Sequence, residues 1–331
     1  MKRILITGSH GFVGNHLVRY VLDNTDWEIV GIDSFRHAGD SLRNHDDPRY
    51  RVFCHDFNAP VSDRLSAEIG HVNYICNLAS IPDVELSIKE PTAVWENNTR
   101  LIGNILALAS QKQSRGLEKF IHCSTDEVFG PAEVGYFHKE WEPIVPSNPY
   151  AASKAAQEAL CIAYWRTYGL PLIITNCMNM IGETQERGFV PKVIGIVSRG
   201  GEVVIHGTAT SVGSRMYLDA KNLADAWLFL LENIQPELYG GETGSKLPSR
   251  YNIVGQEEIS NLDLAQRIAD IMGKKLNYRF EDFHLTRPGH DRRYALDGAK
   301  IAGLGWKHPI PLDETLKRVV AWSIDHPEWI I

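Results

Sequence analysis

The sequence predicts an α/β fold: a doubly wound parallel sheet with helices on both faces, and a smaller α+β lobe toward the C-terminus. Three observations carry this. Apolar strand-like runs alternate with helical stretches through the first half, and strands separated by helices build parallel sheets from βαβ units. Runs such as ILIT and LIIT are continuously apolar, as in central strands buried on both faces. After Asn176 the alternation degrades into glycine-marked turns and polar loops.

The strand-like runs are Arg3–Thr7, Glu28–Ile32, Arg51–His55, Tyr74–Leu78, Lys119–Ser124 and Leu172–Asn176. Helical patterning covers Asn15–Asp23, Asn98–Gln111 and Ser153–Tyr168. In the second half, the polar stretch Gly182–Gly188 precedes turns at Gly200-Gly201 and Gly240-Gly241. A short strand, Tyr251–Val254, a helix near Asn261–Met272 and a loop at Thr286–Arg293 follow. With 331 residues, the chain is expected to place one domain over 1–176, with a later return near 216–248, and a second, smaller lobe mainly over 177–331. No internal repeat or low-complexity linker interrupts it.

Composition narrows the function classes. The chain is 44% hydrophobic and 23% charged, as in an ordinary soluble globular protein. Its net charge of −7 argues against nucleic-acid binding, which leaves a basic footprint. No apolar stretch reaches the roughly 20 residues of a membrane span, and the N-terminus passes straight into a strand without a signal-peptide apolar region. The five cysteines, Cys54, Cys76, Cys123, Cys161 and Cys177, are odd in number and contain no CxxC. They read as reduced thiols in a cytoplasmic protein. No metal site is expected.

The first chemical motif lies where the first strand meets the first helix. In ILITGSHGFVGNHLV, Gly8 permits a tight turn, Gly11 lets backbone approach a pyrophosphate, and Gly14 allows close packing of helix on strand. Phe12 and Val13 stand within this loop as candidate cofactor contacts, and the N-terminal N–H groups of the helix that follows favour phosphate. A glycine triplet also serves as a plain structural turn, but Asp33 ends the second strand about 20 residues on, where a carboxylate holds the adenosine ribose. That carboxylate would repel the extra phosphate of NADP and so favours NAD. Arg36 pulls the other way, because arginine accommodates such a phosphate. Asp56-Phe57, after the third strand, suits an adenine contact, or else a surface acid beside a core aromatic.

The second motif is PYAASKAAQEA, with Tyr150 and Lys154 four residues apart and therefore on one helical face. A nearby ammonium stabilises a phenolate, which would let Tyr150 act as a base on a hydroxyl group, with Thr125 hydrogen-bonding that hydroxyl.

TGSHGFVG, NLAS, STDEVFG and YAASK together resemble the extended short-chain dehydrogenase/reductases that act on nucleotide sugars. The resemblance spans nearly the whole chain. It implies a Rossmann-type domain binding NAD, a C-terminal nucleotide-sugar lobe, and a catalytic set at Thr125, Tyr150 and Lys154. It also implies cofactor contacts from Leu78 and Ala79 of NLAS and from Asn98 of WENNTR, which would support the active site too, and a homodimer packed through the helices bearing Asn98 and Lys154. Apolar residues at Leu101, Ile105 and Leu108 suit that interface, and suit a monomer core equally well.

Asp126 and Glu127 sharpen the reaction. Oxidising a sugar at carbon 4 acidifies the proton on carbon 5; a base must remove it, and an acid must protonate the hydroxyl leaving carbon 6. Two carboxyl groups in different environments can divide those jobs, with Glu127 as base and Asp126 as acid. STDEVFG resembles the STDEVYG of the dTDP-glucose 4,6-dehydratase subfamily, and RTYGLPLIITNCMNMIG, TRPGHDRRYALDGAKIAGLGW and YNIVG resemble its further motifs. By that resemblance Asn179, Arg287 and Arg215 contact the diphosphate, Asn252 lies near the nucleotide, Lys192 matches an active-site lysine, and His290 joins the substrate residues.

The departures cluster around the expected sugar and phosphate sites. The subfamily's Glu, Ser and His are Ile81, Pro82 and Asp83 here, and its Asn and Tyr before glycine are Met180 and Ile181. The loop after Gly182 is longer. These changes bear on which base and sugar bind more than on the chemistry. A 4-epimerase or a UDP-glucuronate decarboxylase of the same family is the competing enzyme reading, and a non-catalytic nucleotide-binding protein the competing non-enzyme one.

Overall fold

The computed structural model describes residues 1–36, 43–113, 115–241, 244–282 and 291–329. Its first half contains β1 (Arg3–Thr7), α1 (Phe12–Asn24), β2 (Glu28–Asp33), β3 (Tyr50–Cys54), α2 (Asp63–Ile69), β4 (Tyr74–Asn77), α3 (Val84–Lys89), α4 (Pro91–Gln113), β5 (Lys119–Thr125), α5 (Pro149–Tyr168) and β6 (Leu172–Cys177). The second half adds β7 (Met180–Ile181), α6 (Phe189–Ser198), β8 (Glu202–Thr208), β9 (Ser211–Val212), β10 (Ser214–Arg215), β11 (Leu218–Asp219), α7 (Ala220–Asn233), β12 (Ser249–Ile253), β13 (Ile259–Ser260), α8 (Asn261–Ile271), β14 (Asn277–Glu281), α9 (Ala299–Gly303) and α10 (Leu312–Asp325).

Seven strands form one parallel sheet in the order β12-β6-β5-β4-β1-β2-β3. Chain direction across the sheet reverses between β1 and β4. In open α/β sheets a crevice opens beyond the strand C-termini at such a switch point. The glycine loop after β1, the NLAS segment after β4 and the Thr125 segment after β5 all lie at that end.

Helices cover both faces, as the alternation of elements predicts. Leu17 and Val21 of α1 and Trp227 of α7 pack on Ile4, Ile6 and Ile121. On the opposite face, Leu101, Ile105 and Leu108 of α4 and Trp165 of α5 pack on Leu5, Ile75 and Phe120. These three α4 residues therefore belong to the chain's own core. A separate cluster joins Val193 and Ile194 of α6, Leu264 and Ile268 of α8, and Leu316 and Val320 of α10.

Three sequence expectations need correction. The strand expected within the smaller lobe at Tyr251–Val254 is β12, an edge strand of the main sheet paired to β6. The return to the first domain thus runs to Ile253, past 248. Helix α4 begins at Pro91 rather than Asn98, because its first turns are mostly exposed and lack an apolar period, while proline is tolerated in a first turn. Helix α5 begins at Pro149 for a similar reason, with the Asn148 side chain accepting from Ala151 N–H at 2.8 Å as its cap. Among the described residues, no helix is long and apolar enough to cross a membrane.

Candidate active site

The cofactor side of the crevice is shaped by backbone. Gly8 has φ +70°, a left-handed conformation suited to glycine. A Cβ at Gly14 would lie 2.0 Å from the Gly8 carbonyl oxygen, so α1 packs on the loop only because residue 14 has no side chain. Gly11 is the N-cap of α1 and brings no side-chain cap, which leaves the first-turn amides of Phe12 and Val13 to an anion. Asp33 accepts from His10 N–H at 2.9 Å through one oxygen and from Phe35 N–H at 2.8 Å through the other. Its carboxylate is thus fixed at the end of β2, with lone pairs remaining for ribose hydroxyls. The amides of Leu78 and Ala79 bond the Thr7 hydroxyl at 3.2 and 3.3 Å, closing the loop against β4. This glycine cradle with a fixed acid at its rim fits NAD.

Two expectations on this side change. Phe57 is a core side chain, so only Asp56 of that pair stands at the edge. Both Asp56 oxygens are engaged within the chain, one by Asn58 and one by Arg36. The arginine that weighed toward NADP is therefore neutralised by a neighbour. Asn98 is wholly buried, and its side chain is saturated by Ile81 N–H and C=O, the Asn97 amide and the Ser153 hydroxyl. It supports the loop at Ile81 and presents no free polar atom to a cofactor.

The C-terminus of β5 delivers Thr125, followed by a short 3-10 turn at Asp126–Phe129. Thr125 Oγ1 donates to Asp126 Oδ1 at 2.9 Å and accepts from Glu127 N–H at 3.3 Å. Glu127 Oε2 accepts from Asn148 Nδ2 at 2.8 Å and from the Tyr294 hydroxyl at 3.3 Å. Asp126 Oδ2 is buried and has no partner among the described residues. Tyr150 and Lys154 lie one turn apart on α5, both buried. The Lys154 ammonium donates to the Cys123 carbonyl at 2.8 Å and to Gln157 Oε1 at 2.6 Å. The structure thus assembles all five residues of the expected catalytic set at one end of the sheet.

Burial governs their protonation. It pushes Asp126 up to about 7, helped by the Glu127 charge and opposed by Thr125 and Arg215. It raises Glu127 as well, against the Asn148 bond and the Arg215 charge. Burial lowers Lys154. Tyr150 is raised well above the usual phenol range by burial and then by Glu127, with its Thr125 bond opposing. The expected lowering of Tyr150 toward neutrality by the nearby ammonium is not seen, because burial and the two acids hold the phenol up.

The residues expected on the substrate side divide. Arg215 donates to the Ser214, Arg292 and Asp291 carbonyls, each at 2.7 Å, and lies 4.7 Å over the Tyr294 ring. Among the described residues no carboxylate forms an ion pair with it, and its charge favours the ionised forms of Asp126, Glu127 and Glu258. Asn252 is buried and its amide N–H groups donate to the His138 and Asp297 carbonyls, while its Oδ1 has no partner among the described residues. Asn179 and Lys192 are exposed. Arg287 and His290 lie outside the described residues. Ile181 belongs to the lobe core and Met180 packs on the sheet core, so these departures are packing residues. Asn148, Gln157, Asn176 and Tyr294 escaped the sequence reading. Only Asn148 carried a local signal, as an N-cap before proline.

A parallel sheet with a nucleotide cradle at its switch point, beside a Thr–Tyr–Lys set, defines an NAD-dependent enzyme of the short-chain dehydrogenase type. Residues 4–243 match the NAD dependent epimerase/dehydratase family, and the chain belongs to that family. It is 32% identical to dTDP-glucose 4,6-dehydratase 1 of Escherichia coli, covering 99% of this chain and 94% of the relative. It is 31% identical to a trifunctional UDP-glucose 4,6-dehydratase/UDP-4-keto-6-deoxy-D-glucose 3,5-epimerase/UDP-4-keto-L-rhamnose-reductase of Arabidopsis thaliana, over 99% of this chain and 48% of the relative. Among solved structures, DesIV, a dTDP-glucose 4,6-dehydratase from Streptomyces venezuelae with NAD and TYD bound, superposes with a TM-score of 0.85 at 29% identity. That match covers 99% of this chain and 98% of DesIV.

Proposed function

We propose that this chain is a nucleotide-sugar 4,6-dehydratase acting through Thr125, Asp126, Glu127, Tyr150 and Lys154. One observation carries the reading: two adjacent carboxyl groups beside Tyr150, Glu127 partly buried and Asp126 buried, pushed up to about 7 and with one oxygen unpartnered among the described residues. Thr125 holds the hydroxyl on carbon 4. Tyr150, acting as the phenolate that the Lys154 ammonium stabilises, takes the hydroxyl proton as the carbon–hydrogen bond breaks. Gly8, Gly11, Gly14 and Asp33 would hold NAD, which when bound would supply the reversible two-electron acceptor that carbon 4 requires and the hydride that carbon 6 receives. Glu127 removes the proton from carbon 5 and gives it back there when hydride is returned to carbon 6. Asp126, which is pushed up to about 7 and so keeps its proton in part at neutral pH, donates that proton to the hydroxyl leaving carbon 6 as water. Arg215 limits the cost of charging Glu127.

The nearly equal identity to dTDP- and UDP-linked relatives supports a pyrimidine nucleotide on the sugar without selecting one. The test supplies dTDP-, UDP-, GDP- and CDP-hexoses and follows products by mass. Loss of one water supports the dehydratase; a changed configuration at unchanged mass would replace it with a 4-epimerase.

A second copy of the chain is proposed to pack on the outer faces of α4 and α5. Gly103, Ala107, Ala159 and Ala163 leave that surface small and apolar. Light scattering at micromolar concentration should give twice the 37.2 kDa chain mass. The free state of all five cysteines supports a reducing, cytoplasmic setting.

A further inference from the structure

We propose that Gln157 is a positioning residue, which fixes the Lys154 ammonium toward the reacting side of the crevice and ties it to Asn98. The role assigned to Lys154 rests on the dehydratase reading. Gln157 follows Lys154 by one turn of α5 and is wholly buried. Its amide forms both halves of a bridge. Oε1 accepts from Lys154 Nζ at 2.6 Å, and Nε2 donates to the Asn98 carbonyl at 2.7 Å. The orientation is forced, because an ammonium only donates and a carbonyl only accepts.

An ammonium has three N–H donors. Gln157 takes one and the Cys123 carbonyl takes a second at 2.8 Å, so one is left to face substrate and cofactor. Cys123 stands two residues before Thr125 on β5, which anchors Lys154 beneath the strand end that carries the carboxyl pair. The other arm of the bridge reaches a residue that is itself immobilised: Asn98 clamps Ile81 through both N–H and C=O. Lys154, Asn98 and the loop opening at Ile81 are therefore held in one register by a single neutral side chain. Neutrality matters here. A carboxylate at 157 would offset the charge the phenolate needs, and a hydrocarbon would leave Lys154 and the Asn98 carbonyl each short of a partner in a dry site.

Two variants test this, Gln157→Met and Gln157→Glu, in the full-length protein. The first readout needs no turnover: carbon-13 NMR of lysine Cε, with Lys154 assigned by its loss in Lys154→Met. Titration of Lys154 should move to lower pH in Gln157→Met, where the ammonium loses an acceptor, and to higher pH in Gln157→Glu, where it gains an opposite charge. In turnover, Gln157→Met should lose about tenfold in kcat, with KM for the sugar nucleotide within twofold and the alkaline-rising limb of kcat/KM displaced upward. An unmoved Lys154 titration in both variants overturns the proposal, as does a thermal destabilisation with kcat and limb unchanged. A wild-type protein that releases no water from any sugar nucleotide fails the dehydratase reading instead, and leaves the titration to judge Gln157.

Discussion

Replacing Asp126 by asparagine separates what burial does to stability from what it does to chemistry. Burial, aided by Glu127, raises this carboxyl from 3.8 to about 7. Between those values the folded chain retains a proton that the unfolded chain has released. Where the folded state binds more protons, stability falls as pH rises. The contribution is thus fully present below about pH 4 and is lost as pH climbs through about 7. At about 1.4 kcal/mol per pKa unit, ionised Asp126 costs the folded state on the order of 4 kcal/mol above pH 7.

Asparagine has nearly the same shape and no charge. Asp126→Asn should therefore match the wild type near pH 4 and exceed it by on the order of 2–4 kcal/mol at pH 8, with relaxation and water entry taking the lower end. Urea unfolding of ligand-free protein at pH 5, 6, 7 and 8 measures this directly. The same variant should still oxidise carbon 4, seen as NADH absorbance in a single turnover, while releasing water far more slowly. A stability difference that does not change with pH would refute the assigned titration. Equal loss of oxidation and water release would refute the assigned acid.

Two further perturbations follow from ion pairs. Asp56→Asn frees the Arg36 guanidinium that Asp56 now holds; stability should change by less than about 1 kcal/mol because both groups are partly exposed, while NADP binding, measured by calorimetry, should strengthen severalfold with NAD unchanged. Glu158→Gln leaves Arg250 charged and unpaired in a site where both side chains are almost fully buried, which should cost about 3–5 kcal/mol in denaturant unfolding. Replacing Glu158 and Arg250 together by apolar residues should recover most of that loss.

The sheet was legible because its strands carry their own signal. Continuous apolar runs gave β1, β2, β4, β5 and β6 within a residue or two, and the glycines located the crevice. Strand β12 was legible as a strand but not as part of this sheet, since its partner β6 lies more than seventy residues earlier and pairing at that distance leaves no local trace. The acids and the Tyr–Lys pair were readable as adjacent letters. What surrounds them was not. Tyr294 and Asn148 reach Glu127 from 167 and 21 residues away, and Asn98 looks like a polar site residue in a string while its side chain is bonded to Ile81, Asn97 and Ser153 in space. The pairing of Arg36 with Asp56 likewise requires β2 and β3 to be side by side. Sequence spacing predicts helical neighbours well, and it says little about which polar groups are already spent.

That distinction also explains how two consecutive acids acquire different jobs. Glu127 reaches two fixed donors, Asn148 and Tyr294, on a single oxygen, and donors stabilise a carboxylate. Asp126 has Thr125 on one oxygen and, among the described residues, no partner on the other, and an unpartnered buried oxygen favours the protonated form. The negative charge of Glu127 then raises Asp126 further. One proton is shared unequally by a pair that cannot both ionise cheaply, and it resides on Asp126. An elimination needs one group ready to accept a proton and one ready to give it at the same pH. Here the difference arises from the donors around each group rather than from the identity of the acids. Combining Asp126→Glu with Glu127→Asp would therefore not exchange their roles; it would shorten the arm that reaches Asn148 and Tyr294 and erode the asymmetry itself.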